Sequence, residues 1–188
     1  GSVLANYDCL VSNEGGSTPG SAAALSANDT TPPNITCPAN IVVSTDAGQC
    51  SKSNVTWAAT TTDNGALTSF VSVPPSGSTF AVGVTTVTCT ARDEAGNSNS
   101  CSFTVTIQDT APPSITCPAD VTVSADAGTC AATGVALGSP ETGDNCGVAS
   151  VTNNAPASYP VGTNVVTWTV TDTSGNTNSC LQQVVVLD

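Results

Sequence analysis

DTTPPNITCPANIVVSTDAGQC, from Asp29 to Cys50, returns almost unchanged as DTAPPSITCPADVTVSADAGTC, from Asp109 to Cys130. The echo reaches the far end of the unit, where FAVGVTTVTCTARDEAGNSNSC (Phe80 to Cys101) matches YPVGTNVVTWTVTDTSGNTNSC (Tyr159 to Cys180). Both ends of the unit therefore repeat, which divides the 188 residues into a lead segment at 1–28 and two copies at 29–108 and 109–188.

Between the cysteines the residues alternate, as IVVST, SNVTW, TTVTCTA and SFTVTI in the first copy and as VTVSA, NVVTWTV and QQVVVL in the second. Period-two runs rich in Val and Thr, closed by Gly, Pro, Asn and Asp, specify the short strands of an all-β sandwich. Val87, Cys89 and Ala91 share one strand face, DEAGN turns the chain, and Cys101, Phe103, Val105 and Ile107 share the next, giving a hairpin buried on one side. SAAALSA, at 21–27, is the one stretch with room for a helical turn or two. The junction IQDTAPPS, at 107–114, is short and holds two prolines, so the two domains are expected to form an extended, stiff rod.

Cores of this size bury little apolar surface, so covalent staples are expected. Nine cysteines, four in each copy with Cys9 left over, occur without any histidine or CxxC pair. They point to disulfides rather than zinc, and to an oxidising compartment. The chain has no methionine, so Gly1 is not a translational start and removal of a signal peptide is the expected reason. No apolar run reaches the ~18 residues that cross a bilayer. Lys52 and Arg92 are the only basic residues against fourteen acidic ones, a net charge of −12, which excludes nucleic acid and disfavours polyanionic surfaces. A secreted, extracellular protein without a cofactor is the expectation.

Catalysis has no footing in these residues. With no histidine and one lysine, and with carboxylates scattered over turns, no acid–base or nucleophile–base pair assembles. Asp93 and Asp172 open DxxGN turns in which Gly96 and Gly175 supply the permissive backbone. A calcium role for these aspartates, with Asp109 between domains, is the alternative to turn chemistry; one carboxylate per loop falls short of the six or more oxygens the ion takes. Asn28, Asn34 and Asn54 head N-x-T sequons, and glycans there would help a chain with only 9% charged residues stay soluble. A sugar-binding accessory module would need exposed aromatics, yet Trp57, Trp168, Phe80, Tyr159 and Phe103 read as core, leaving only Tyr7 and Phe70.

The combination D-x-x-PP-x-I-x-CP, D-x-G-x-C, DNC-G, PVG, V-x-W, D-x-x-GN and a last cysteine resembles the hyalin repeat, and it covers 29–188. The resemblance implies two tandem immunoglobulin-like β-sandwich domains of an adhesion or structural protein, with no catalysis attached to the repeat. It also implies the pairs Cys117–Cys180 and Cys130–Cys146 in the second copy and, by analogy, Cys37–Cys101 in the first. The first copy departs from the pattern: Asp63-Asn64-Gly65 lacks the DNC cysteine, and Cys89 stands where the second copy has Trp168. Cys50 is then left to pair with Cys89 across the sandwich, with Cys89–Cys101 as competitor.

The lead segment VLANYDCLV, residues 3–11, is apolar and β-prone and is set off by the flexible stretch NEGGSTPGS. Val3, Leu4, Tyr7, Leu10 and Val11 suit a strand added to an exposed sheet edge. If the acceptor is another copy, head-to-tail addition yields a homopolymer filament, and the odd Cys9 is the candidate for an intermolecular bond to Cys50, Cys89 or another Cys9. The competing readings are a segment packed on its own first domain, and a monomeric adhesion or ligand-binding module that meets cell-surface or matrix proteins.

Overall fold

The computed structural model describes residues 28–188 and, in the lead segment, only the backbone of β1 (Asn6–Tyr7), β2 (Leu10–Asn13), β3 (Gly16–Pro19) and β4 (Ala23–Ala24). β1 pairs antiparallel with β4, Asn6 opposite Ala24, and β2 pairs with β3, Leu10 opposite Pro19. Part of the expected flexible linker is thus strand. Ala23–Ala24 is strand as well, where the sequence suggests a helical turn; seven residues are too few to meet the cost of nucleating a helix. Val3, Leu4 and Cys9 lie outside the described residues, and Tyr7, Leu10 and Val11 are placed only as strand members. No helix is long and apolar enough to cross a membrane among the described residues.

Every described element is a strand. The first repeat contributes β5 (Asn34–Thr36), β6 (Ile41–Ser44), β7 (Ser51–Val55), β8 (Thr60–Thr62), β9 (Leu67–Val73), β10 (Ser78–Ala81), β11 (Gly83–Asp93) and β12 (Ser98–Gln108). The second contributes β13 (Ser114–Thr116), β14 (Val121–Ser124), β15 (Ala131–Thr133), β16 (Glu141–Gly143), β17 (Val148–Asn153), β18 (Ser158–Pro160), β19 (Gly162–Asp172) and β20 (Thr177–Leu187). Each repeat builds one four-stranded sheet, in the order β6-β12-β11-β9 or β14-β20-β19-β17. Two short ladders accompany each sheet, β5 with β8 and β7 with β10, then β13 with β16 and β15 with β18. β14 runs parallel to β20, with Val121 opposite Val184, whereas β19 and β20 form a long antiparallel hairpin with Trp168 opposite Cys180.

The two hairpins carry the alternation read from the sequence. Val87, Cys89, Ala91 and Asp93 of β11 point inward, as do Val166, Trp168, Val170 and Asp172 of β19. Because side chains alternate with period two, the intervening threonines face outward. By compactness the chain divides into Gly1–Ile41, Asn54–Ser78 and Val84–Val105, and separately Val42–Ser53, Thr79–Gly83 and Thr106–Asp188. The second unit therefore takes in three stretches of the first repeat, 42–53, 79–83 and 106–108, and a disulfide from Cys50 to Cys146 lies inside it.

The two cores solve one packing problem differently. In the second repeat Ala132, Tyr159, Val166, Trp168, Val184 and Val186 form the cluster, with Leu137 and Cys117 against it. Trp168 Nε1 donates to Gln182 Oε1 at 3.0 Å, and Gln182 Nε2 donates to the carbonyls of Ala119 (2.7 Å) and Leu137 (2.9 Å), so a fully buried amide is satisfied on both ends. In the first repeat Cys89 and Phe103 hold the positions of Trp168 and Gln182. The lost indole is replaced by Trp57, which stands where the second repeat has Leu137 and meets Phe103 edge to face, ring centroids 5.4 Å apart.

Candidate functional site

The DxxGN turns fix a carboxylate at one end of each long hairpin. Asp93 N donates to Asn97 O at 3.1 Å, Asn97 N returns a bond to Asp93 Oδ1 at 2.8 Å, and Asn97 Nδ2 donates to Asp93 Oδ2 at 2.8 Å. Gly96, at φ 95°, supplies the left-handed step the turn requires. Asp172 and Asn176 repeat the arrangement, with Asn176 N and Nδ2 each 2.8 Å from the Asp172 carboxylate. Burial pushes the Asp172 carboxyl up, but the bonds from Asn176, Ser174 and Gly175 outweigh it and hold the group below its ordinary value.

Two further aspartates join each of these turns. Asp29, Asp63 and Asp93 bring one oxygen apiece within 4.8 Å of one another, and Asp109, Asp144 and Asp172 do the same in the second repeat. Asn97 Nδ2 also donates to Asp29 O (3.0 Å), and Asn176 Nδ2 to Asp109 O (3.2 Å), so one asparagine ties two members of each triad. The third member comes from the DNG or DNC-G loop: Asp63 Oδ2 accepts from Gly65 N at 3.1 Å, and Asp144 Oδ2 accepts from Cys146 N (2.7 Å) and Gly147 N (3.0 Å). Asp93, Asp109 and Asp172 are buried. Two like charges ~4 Å apart repel by about 4 kcal/mol at an effective dielectric of about 20, so each triad concentrates repulsion. Lys52, one of the two cations, is bonded to Asp46 at 2.6 Å, and Thr171 stands in the second repeat where the first has Arg92.

Sequence reasoning reached Asp93, Asp172 and Asp109 and left out Asp29, Asp63 and Asp144. Asp109 gathers with Asp144 and Asp172, so the ligand-type residues of each cluster come from loops far apart in sequence. The available signal was that DN recurs in both copies although the cysteine after it does not.

Asp46 anchors another hydrogen-bonded loop. Lys52 Nζ, Ser53 Oγ (2.6 Å) and Ser53 N (2.8 Å) all donate to it and hold its carboxyl far below the usual range, Lys52 contributing most. The bond from Thr31 N (2.9 Å) lowers Asp29 as well. A carboxyl depressed in the folded state stabilises it above the unfolded value of about 3.9 and ceases to do so as pH falls through the folded value. Thermal stability is therefore expected to drop below about pH 4, and Asp46→Asn to make that drop shallower, as read by circular-dichroism melts from pH 2 to 7.

The disulfides differ from part of the expectation. Cys37 is bonded to Cys101 (Cα–Cα 5.9 Å) and Cys117 to Cys180 (5.7 Å), while the third bond joins Cys50 to Cys146 (4.7 Å). Cys130 and Cys89 keep free thiols, exposed and buried respectively. Cys130–Cys146 is excluded by strand length. Cys130 O accepts from Val161 N at 3.0 Å just before β19, and Cys146 O accepts from Thr173 Oγ1 at 3.3 Å just after it. The eleven residues of β19 span roughly 35 Å, against about 7 Å between bridgeable Cα atoms. Cys50–Cys89 and Cys89–Cys101 fail because Cys89 is fully buried among core residues while Cys50 is exposed and Cys101 is already bonded. Burial also pushes the Cys89 thiol up, which makes it a poor nucleophile.

Two surface features complete the inventory. Asn28, Asn34 and Asn54 and the threonines two residues on are all exposed. β9 is an edge strand, paired on one side with β11, and it exposes Leu67, Phe70, Val71 and Val73.

Comparison with known proteins gives consistent results. The HYR domain pattern matches residues 28–107 and again 108–186. The chain is 33% identical to hyalin of Strongylocentrotus purpuratus over 79% of its length, and 37% identical to hyalin of Lytechinus variegatus over 85%. It is 32% identical over 84% of its length to the Sushi, von Willebrand factor type A, EGF and pentraxin domain-containing protein 1 of Rattus norvegicus. It spans 13%, 32% and 4% of those relatives, respectively.

Proposed function

Because the chain belongs to the HYR domain family, we propose that it is a non-catalytic extracellular structural subunit, assembling head to tail with copies of itself into a glycosylated fibre. Its lead segment, residues 3–11, docks on the next copy, and Asn28, Asn34 and Asn54 carry glycan. The three disulfides suit an oxidising, secreted setting.

The exposed thiol of Cys130 carries this reading. Strand length puts Cys146 of its own repeat out of reach, and Cys50, at the same position of the first repeat, already holds Cys146. The first repeat of a neighbouring copy has Gly65 where a DNC cysteine would be, and its Cys89 is buried. Another Cys130 and Cys9 of the lead segment remain, and of these only Cys9 continues the chain of copies head to tail. Joining the Cys130 and Cys9 sulfurs releases two protons and two electrons, which molecular oxygen or a disulfide-exchange partner accepts.

The exposed apolar edge of β9 favours a second reading, a monomeric adhesion module that captures a strand of another protein. Electron microscopy under non-reducing conditions separates the two. Filaments that disappear on removal of residues 1–11 support the fibre subunit; dispersed particles with and without those residues support the adhesion module.

A further inference from the structure

We infer that each acidic triad binds a calcium ion, through Asp29, Asp63 and Asp93 in the first repeat and through Asp109, Asp144 and Asp172 in the second. Convergence of three carboxylates would not suffice. The decisive feature is an oxygen in each cluster that the protein leaves without a partner: Asp63 Oδ1 and Asp144 Oδ1 are both shut off from solvent and make no hydrogen bond. They belong to corresponding residues of two repeats whose surrounding sequences differ, Asn64-Gly65 in one and Asn145-Cys146 in the other.

No donor lies within bonding distance of Asp63 Oδ1 or Asp144 Oδ1, and protonating one carboxyl of a triad leaves the other two charged and crowded. A cation satisfies the orphan oxygen and relieves the mutual repulsion together. The donor set is all oxygen, with no imidazole and no thiolate, which selects a hard ion; a shell of six to eight oxygens leaves room for water beside the carboxylates, as calcium tolerates.

The positions are held in advance. Asn97 and Asn176 each fix one carboxylate and the backbone of a second, and backbone N–H groups of Gly65, Cys146 and Gly147 fix the third. A Cβ on Gly65 would lie 3.1 Å from Asp29 Oδ2 and 3.4 Å from Asp63 Oδ2, so that loop residue must stay small for the two carboxylates to approach. An open pocket lined by Asn28, Asp29, Gly65, Asp93 and Glu94 gives access to the first triad. With three carboxylates and water completing the shell, a dissociation constant of about 10⁻⁴ to 10⁻³ M is expected, the range of extracellular modules.

Equilibrium dialysis of the chelator-treated protein against radioactive calcium up to ~10 mM tests this, alongside thermal melts with and without calcium. Two ions per chain are expected. Asp144→Asn should lower this to one and Asp63→Asn with Asp144→Asn to none, while the variants keep the wild-type circular-dichroism spectrum because the amide oxygen still accepts the loop N–H bonds. Calcium should raise the melting temperature of the wild type and leave the double variant unmoved. No binding by the wild type, or binding and a calcium-induced thermal shift that persist in the double variant, overturns the assignment.

Discussion

On a non-reducing gel of the assembled protein, Cys130→Ser is expected to convert a ladder of disulfide-linked multimers into a single monomer band. Cys130 is exposed, and its repeat completes Cys117–Cys180 without it, so the substitution removes a sulfur the folded chain does not use. The change in stability should stay within about 0.5 kcal/mol, as for surface sites in general. Cys9→Ser should give the same loss, since the bond needs both sulfurs. Cys89→Ser should leave the ladder intact, because that thiol is buried. The pattern separates the bonding schemes: Cys130 joined to Cys9 propagates from copy to copy, whereas Cys130 joined to Cys130 stops at dimers. A ladder that survives Cys130→Ser would defeat the covalent part of the fibre proposal, and a dimer band alone would defeat its head-to-tail order.

What the sequence could and could not reveal about this site follows from the range of its signals. Strand alternation is local, so the inward faces of β11, β12, β19 and β20 were legible from the period of Val, Thr and Cys. Disulfide partners are not local. Cys130 and Cys146 are consecutive cysteines in the sequence, and nothing in their spacing shows that β15 and the DNC-G loop sit at opposite ends of an eleven-residue strand. The triads were partly legible for the same reason. Asp93 and Asp172 announce themselves through DxxGN, and Asp109 through the repeated junction, but Asp63 and Asp144 enter only when a loop from a third place in the chain folds back on the other two. The exposed edge of β9 was also hidden, because nothing in LTSFVSV distinguishes a terminal strand from an inner one and only the sheet order shows it to be terminal.

Trp168→Ala should destabilise the second repeat by about 3–5 kcal/mol, the cost of emptying a large aromatic site in a closed core. For a domain of 60–100 residues each kcal/mol is worth roughly 4–8 °C, so a melting shift of at least ~12 °C is expected in a calorimetric scan. Cavity formation is one part of that loss. The other is Gln182, fully buried, whose Oε1 has Trp168 Nε1 as its 3.0 Å partner and would be left unpaired. The first repeat shows how the same space can be filled without an indole on this strand. There Cys89 replaces Trp168, Phe103 replaces Gln182, and Trp57, from the position of Leu137, packs edge to face on Phe103. Transplanting that set, as Leu137→Trp, Trp168→Cys and Gln182→Phe together, should therefore recover part of the stability lost by Trp168→Cys alone. Full recovery is not expected, because Gln182 Nε2 also serves the carbonyls of Ala119 and Leu137, whereas in the first repeat Ser76 Oγ serves the carbonyl of Trp57 at 3.1 Å. The three substitutions touch one another, so their effects should be strongly non-additive. A triple variant no more stable than Trp168→Cys would mean that the two cores are not interchangeable solutions, and that Cys89 owes its place to something other than the room it makes for Trp57.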